Sequence, residues 1–287
     1  MMMKKEFINK VNEDLGTVVR HVNKNNGVGY DGFSKVDVTV SPTVNVDDIY
    51  NIYETEGYEV AVKELKEILD KEPPIQDLND LFSKLSNDRL TLKLVNYEAN
   101  KDRLKNVVYK TIGDLAIELR VIVDYVDDGY ATTSVTDGIL EAMGLNKEEA
   151  IQIAIDNGKG DVTLQDMLSL LLDMDVDMDI DIDNTDYLEA PMYVLSNKNK
   201  LNGAVAMLYS EYLDKVCDKF DSDNVYIIPS SIHEVIVVNA KDTNPSDLSS
   251  MIAMVNNTSV ETEDILSYKL YEYKKGGLLQ IAKIAES

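Results

Sequence analysis

Apolar positions along this chain change their period several times, and each change predicts an element. Phe7, Ile8, Val11 and Leu15 recur at helical spacing and predict a short amphipathic first helix. Residues 17–22 then read as a strand and residues 28–33 as its return. Asn25, Asn26 and Gly27 between them form a turn that can supply positive φ. Val36, Val38 and Val40 alternate with polar neighbours, and Ser41 and Pro42 close this small antiparallel unit. From Val46 the period is helical again, first to Gly57 and then through Val60, Leu65 and Leu69 to Pro73 and Pro74, with a further helical segment through Leu81 and Phe82. Residues 90–100 fit a strand by Leu92 and Leu94 and a helix by their last four residues.

The second part brings strands back. Residues 107–109 and 115–125 are predicted strands, the latter alternating Ile117, Leu119, Val121 and Val123 with Glu118, Arg120, Ile122 and Asp124. Asp127, Asp128 and Gly129 turn the chain into a strand over 130–135. A helix over 137–143 stops at Gly144. The next starts at a capping box, Asn146 with Glu149, and ends at Asn157-Gly158. Residues 164–172 read as an apolar helix, 192–195 as a strand, and 203–208 and 211–220 as helices. Residues 224–238, NVYIIPSSIHEVIVV, carry two β-branched apolar runs separated by Pro229, Ser230 and Ser231, and predict two adjacent buried strands, with His233 and Glu234 opening the second. Asn244 caps a helix with Pro245 at its first position, residues 268–273 form the last strand, and the tail is short and helical. The fold class is therefore α+β: an N-terminal antiparallel β unit with helices over residues 1–106, then a larger mixed sheet-and-helix half over 107–287, with an acidic insert at 173–186.

Charge narrows what such a fold does. The chain has 287 residues, 28 of them basic and 52 acidic, for a net charge of −24, and a pI near 4.3. That field repels phosphate backbones and anionic lipid, so neither nucleic acid nor membrane is an expected partner, while a basic protein is. No apolar run reaches the eighteen or so residues of a membrane helix, and the lone cysteine, Cys217, suits a buried thiol in a reducing cytoplasm.

Three stretches invite chemistry. Ser230, Ser231, His233 and Glu234 sit on a short connection between buried strands, where a hydrolase-like site would be held. The competing reading has a serine hydroxyl tying the turn and His233 satisfied within the sheet. In the acidic insert, aspartates alternate with apolar residues, and Asp175, Asp177, Asp179, Asp181, Asp183 and Asp186 fall at the ligand positions of a calcium loop. Ile180 stands where the loop calls for glycine, so a solvated acidic edge is the alternative. Two histidines and one cysteine do not furnish a zinc site, no phosphate-binding glycine loop is present, and no cofactor is expected, with calcium at the insert the one alternative.

The segments KNNGV at 24–28, SPTVNV at 41–46, LVNYEANKDRLKNV at 94–107, PMYVLSNKNKLNGAVAMLY at 191–209 and YIIPSSIHEVIVV resemble a bacterial family, domain of unknown function 5688, in order and spacing over most of the chain. The half from residue 114 onward is distantly similar to domain of unknown function 1444. The resemblance implies fold continuity and a bacterial, phage or mobile-element origin, and it carries no mechanism. It nominates Asn25, Asn26, Gly27, Pro42, Asn197, Lys198 and Pro229 as binding positions, beside Ser230, Ser231, His233 and Glu234. The expected function is a non-catalytic interaction module, in one version an anti-defence protein that engages a basic partner. An enzyme at the 230–234 connection and a calcium-responsive protein are the alternatives.

Overall fold

A computed structural model describes residues 2–36, 41–71, 77–126, 129–173, 191–241 and 243–283. The chain divides into two compact units, Met1–Leu85 and Ser86–Ser287.

In the first unit, α1 (Lys4–Leu15) ends where Gly16 takes φ 60°. Strands β1 (Thr17–Asn23) and β2 (Gly29–Lys35) pair antiparallel around the Asn25–Gly27 turn, in which Asn26 and Gly27 both hold positive φ as the pattern predicts. A short β3 (Val44–Asn45) adds to β2, and α2 (Val46–Glu56), α3 (Tyr58–Leu69) and α4 (Leu78–Ser83) follow. Phe7, Val11, Phe33, Ile49 and Leu65 form the core, with the Phe7 ring stacked on Tyr53 at 4.9 Å and edge-on to Tyr50 and Tyr58. The strand read over Val38 and Val40 and the paired prolines lie outside the described residues.

Among the described residues the second unit holds two antiparallel sheets. In the four-stranded one, β4 (Leu90–Asn96) runs into the helical turn α5 (Tyr97–Asn100), so residues 90–100 are both things their pattern allowed. The long β6 (Leu115–Val126) takes β4 along one edge, and β5 (Tyr109–Ile112) and β7 (Gly129–Ser134) along the other. Because β4 is laddered to β6, residues 86–106 go with the second unit rather than with the N-terminal region to which the pattern assigned them. Then come α6 (Asp137–Met143), closed by Gly144, and α7 (Lys147–Gly158), whose Asn146 and Glu149 make the reciprocal capping bonds.

Residues 162–166 are strand β8 and only Met167–Asp173 is helix, α8. The apolar run read as one helix is thus divided, because Val162–Asp166 pairs with β9 (Met192–Asn197). Gly203–Leu208 is a tight 3-10 turn leading to α9 (Ser210–Phe220). The two apolar runs of the central stretch are adjacent antiparallel strands, β10 (Asn224–Ile228) and β11 (Val235–Asn239). After α10 (Pro245–Thr258), capped by Asn244, the last strands are β12 (Tyr271–Lys274) and β13 (Gln280–Ile281). Gln280–Ile281 is thus strand where the tail pattern reads as helix, and β12 begins three residues later than its pattern suggests. The six-stranded order is β13-β12-β10-β11-β9-β8. Val225, Ile227, Val235 and Val237 are fully buried on one face, while Ile228 and Val238 pack with Leu248 and Ile252 of α10 on the other. Burial on both faces explains why these strands read as continuous apolar runs.

Candidate functional site

The connection between β10 and β11 is not a free hairpin. Pro229 has no N–H to continue the ladder, and the chain from 229 to 232 runs beside residues 264–267 instead. The carbonyls of Pro229 and Ser230 accept from the N–H groups of Ser267 and Leu266 at 3.0 Å each, and the Ile232 N–H donates to Asp264 at 2.9 Å. His233 and Glu234 accordingly precede β11 rather than opening it. Ser231 is buried, and its Oγ accepts the His233 N–H at 3.0 Å, a serine turn.

The His233 ring is held at both nitrogens. Nδ1 accepts the Asn202 N–H at 3.4 Å, which assigns the proton to Nε2, and Nε2 faces Asp264 Oδ1 at 3.4 Å. About a quarter of each of these two side chains is exposed. Its carbonyl accepts from Ser196 Oγ at 2.7 Å. Gly203 is required here, since a Cβ would lie 2.4 Å from the His233 carbonyl and 2.7 Å from the Asn197 nitrogen. Asn197 closes the next loop with two bonds to Leu201, and Lys198 donates to the Gly160 carbonyl at 3.0 Å. Among the nominated residues, Pro229, Ser230, Ser231, His233, Asn197 and Lys198 thus gather in one region. Glu234 is half-buried beside them, and Asn25, Asn26, Gly27 and Pro42 belong to the first unit.

A cavity of about 50 Å³ opens beside this region, lined among others by Tyr130, Asp161, Asn197, Asn202 and Tyr209. It has room for ordered water and is well short of the several hundred Å³ of an ordinary small-molecule pocket. Burial pushes the Tyr209 phenol well above its usual range. A larger groove of about 440 Å³, lined by Ile112, Ile117, Met207, Leu213 and Leu278, is mainly apolar.

The strongest electrostatic feature is one that sequence reasoning missed. Glu118 on β6 is fully buried. One oxygen accepts from Arg103 at 2.8 Å, and the other accepts from Arg120 and Ser134 at 2.6 Å each. Burial alone would raise its pKa, yet the Arg103 hydrogen bond, the two guanidinium charges and Ser134 prevail and bring it down to about 2. Arg120 is further fixed by Thr132 and Ser134 on β7. Directly across from Glu118 in the β4–β6 register stands Lys93, half-buried, whose pKa falls to about 8 through burial and then through Arg120. Asp264, the partner of His233, also acts on it, so the cluster and the 229–233 connection share one electrostatic neighbourhood. The signal in the sequence was charged residues alternating with apolar ones on strands buried on both faces, as in LTLKLVN and AIELRV.

No group of three or more metal-ligating side chains occurs among the described residues, and Asp175, Asp177, Asp179, Asp181, Asp183 and Asp186 lie outside them. Cys217 is buried, and burial pushes its thiol up to about 11. Among the described residues no helix is long and apolar enough to cross a membrane.

The chain belongs to the family described as a family of unknown function (DUF5688), whose model matches residues 1–275. No curated protein and no solved structure matches it.

Proposed function

For this member of that family, we propose a non-catalytic interaction module of the cytoplasm whose acidic surface engages a basic protein partner. The observation that carries this reading over an enzymatic one is how the candidate nucleophile and base are used. The Ser231 hydroxyl is occupied by the His233 N–H, and the imidazole bridges Asn202 and Asp264, so these groups hold a chain connection together. The adjoining 50 Å³ cavity is too small for a substrate. With catalysis assigned to no group there, the net charge of −24 is the feature left to select a partner, by attraction to a basic surface. A narrower version is a phage or mobile-element protein that occupies the basic face of a host nuclease.

Affinity capture with the tagged full chain at low and high salt tests the reading. The expected result is a stoichiometric basic protein that is released at high salt, because attraction between exposed charges is screened over roughly 10 Å at 0.1 M. The His233→Ala chain is expected to retain the same protein. Capture that is indifferent to salt, or no partner at all, overturns it. The hydrolase alternative draws on Asp264, an orienting acid that the sequence did not reveal. It requires Ser231→Ala and His233→Ala to abolish a turnover that wild type shows on ester or amide substrates.

A further inference from the structure

In a chain this acidic, Lys93, Arg103 and Arg120 converge on one carboxylate, and hydrogen-bond accounting leaves donors over. Glu118 directly faces Lys93 in the register, yet its oxygens are taken by Arg103, Arg120 and Ser134. Among the described residues the Lys93 ammonium has no hydrogen-bond or ion-pair partner, although its three N–H donors are half-buried. Arg103 commits Nη2 to Glu118 and Nε to Asn100 at 3.4 Å, which leaves Nη1 without a partner among the same residues, and its side chain is 24% exposed. Arg120, by contrast, engages all three of its nitrogens, with Glu118, Thr132 and Ser134.

The charges do not balance either. Glu118 and Asp264 are the two carboxylates that reach these three cations, and the neutral His233 imidazole beside Asp264 cancels none of its charge. What remains is an excess of positive charge with unused donors on Lys93 and Arg103, next to a position that solvent reaches. A buried ammonium without an acceptor is costly, and an oxyanion supplied from outside would give it one.

The geometry points to an anion site on the second unit, in which Lys93 and the free edge of Arg103 hold the phosphate group of a small molecule, with Arg120 and Glu118 as its fixed floor. A phosphate carries about −1.5 to −2 charge near neutral pH and three acceptor oxygens, which serve the unused donors of Lys93 and Arg103 better than the two oxygens of a carboxylate do. This site does not draw on the net negative charge assigned to a basic partner, so either proposal can fail alone.

The test is calorimetric titration of the full chain with inorganic phosphate at constant ionic strength, with acetate in parallel. Phosphate is expected to bind with an affinity of roughly millimolar or better, about tenfold tighter than acetate. Lys93→Met is expected to lose phosphate binding by at least about tenfold while melting no lower than wild type, and Lys93→Arg to recover part of it. Affinity is expected to fall as pH rises above about 8 and Lys93 loses its proton, among the fixed charges of Arg103, Arg120, Glu118 and Asp264 and the His233 imidazole. Equal heats from wild type and Lys93→Met, no phosphate heat, or equal binding of acetate would overturn the proposal.

Discussion

The first unit and the β4–β6–β7 face of the second are both interiors of sheet-and-helix units, but they are held by opposite means. Around Phe7 the contacts are aromatic and aliphatic, with Tyr50, Tyr53 and Tyr58 ringing a side chain that has no exposure. Around Glu118, equally without exposure, they are ionic and hydrogen-bonded. The apolar core gains from every methylene it buries. The ionic one must first offset desolvation, and it holds only while Glu118 and its two guanidinium partners are all present. Phe7→Ala is expected to cost about 3–5 kcal/mol by leaving a cavity, and Glu118→Gln about 3–5 kcal/mol by stranding two guanidinium groups. Their pH dependence separates them. Glu118 has a folded pKa of about 2, below the ordinary 4.5, so its stabilisation is present above pH 4.5 and is lost as pH falls towards 2. Urea denaturation from pH 7 to 2 should show the Glu118→Gln deficit shrinking and the Phe7→Ala deficit unchanged. Parallel curves would mean the cluster is not ionic.

Between these extremes lies Gly203, where the constraint is backbone proximity rather than core chemistry. Gly203→Ala drives a Cβ against the His233 carbonyl and the Asn197 nitrogen, neither of which is a flexible side-chain end. The expected loss is about 2–3 kcal/mol by overpacking, with the His233 and Asn202 resonances displaced in the NMR spectrum. A neutral substitution would show that the 3-10 turn can move away from β9.

Lys93 sharpens the contrast further, because it is the member of the ionic face that opposes folding. Its folded pKa of about 8 lies below the ordinary 10.5. The unfolded chain therefore binds the proton more tightly, and the penalty is fully present below pH 8 and relieved as pH rises towards 10.5. Lys93→Met is expected to be more stable than wild type by about 2 kcal/mol at pH 7, from roughly 1.4 kcal/mol per pKa unit reduced for partial exposure. That gap should close by about pH 10 in paired melts. A Lys93→Met chain less stable than wild type at pH 7 would mean Lys93 is paired after all.

How much of this was legible in the chain follows the same division. Local patterns specified α1, the Asn25–Gly27 turn, the Asn146–Glu149 capping box, the Asn244–Pro245 start of α10 and the two central strands, because each depends on neighbours a few residues away. The pattern failed where pairing is long-range. Val162–Asp166 became strand through β9, Tyr268–Leu270 did not, and residues 86–106 joined the second unit through β6. The candidate site divides likewise. Ser231 tying its own turn is a two-residue affair and was among the readings the sequence allowed. Asp264 beside His233, and Lys93 beside Arg103 and Arg120, come from distant segments that no spacing rule connects.

The smallest expected effect bears on function most directly. If Ser231 and His233 serve the chain connection, Ser231→Ala removes the bond that ties the His233 N–H within the turn and His233→Ala removes the imidazole contacts with Asn202 and Asp264, at about 1 kcal/mol apiece. Because the two residues share that connection, the double variant should lose less than the sum of the singles. Catalytic groups are commonly poised at some expense of stability, so removing them often stabilises the fold. The sign of the change in melting temperature therefore distinguishes the roles before any substrate or partner is known. A lower melting temperature in both variants, with capture of a basic partner unchanged, is the outcome of an interaction module whose serine and histidine are structural. A rise in both would return the 229–234 connection to candidacy as an active site, with Asp264 as the acid that orients His233.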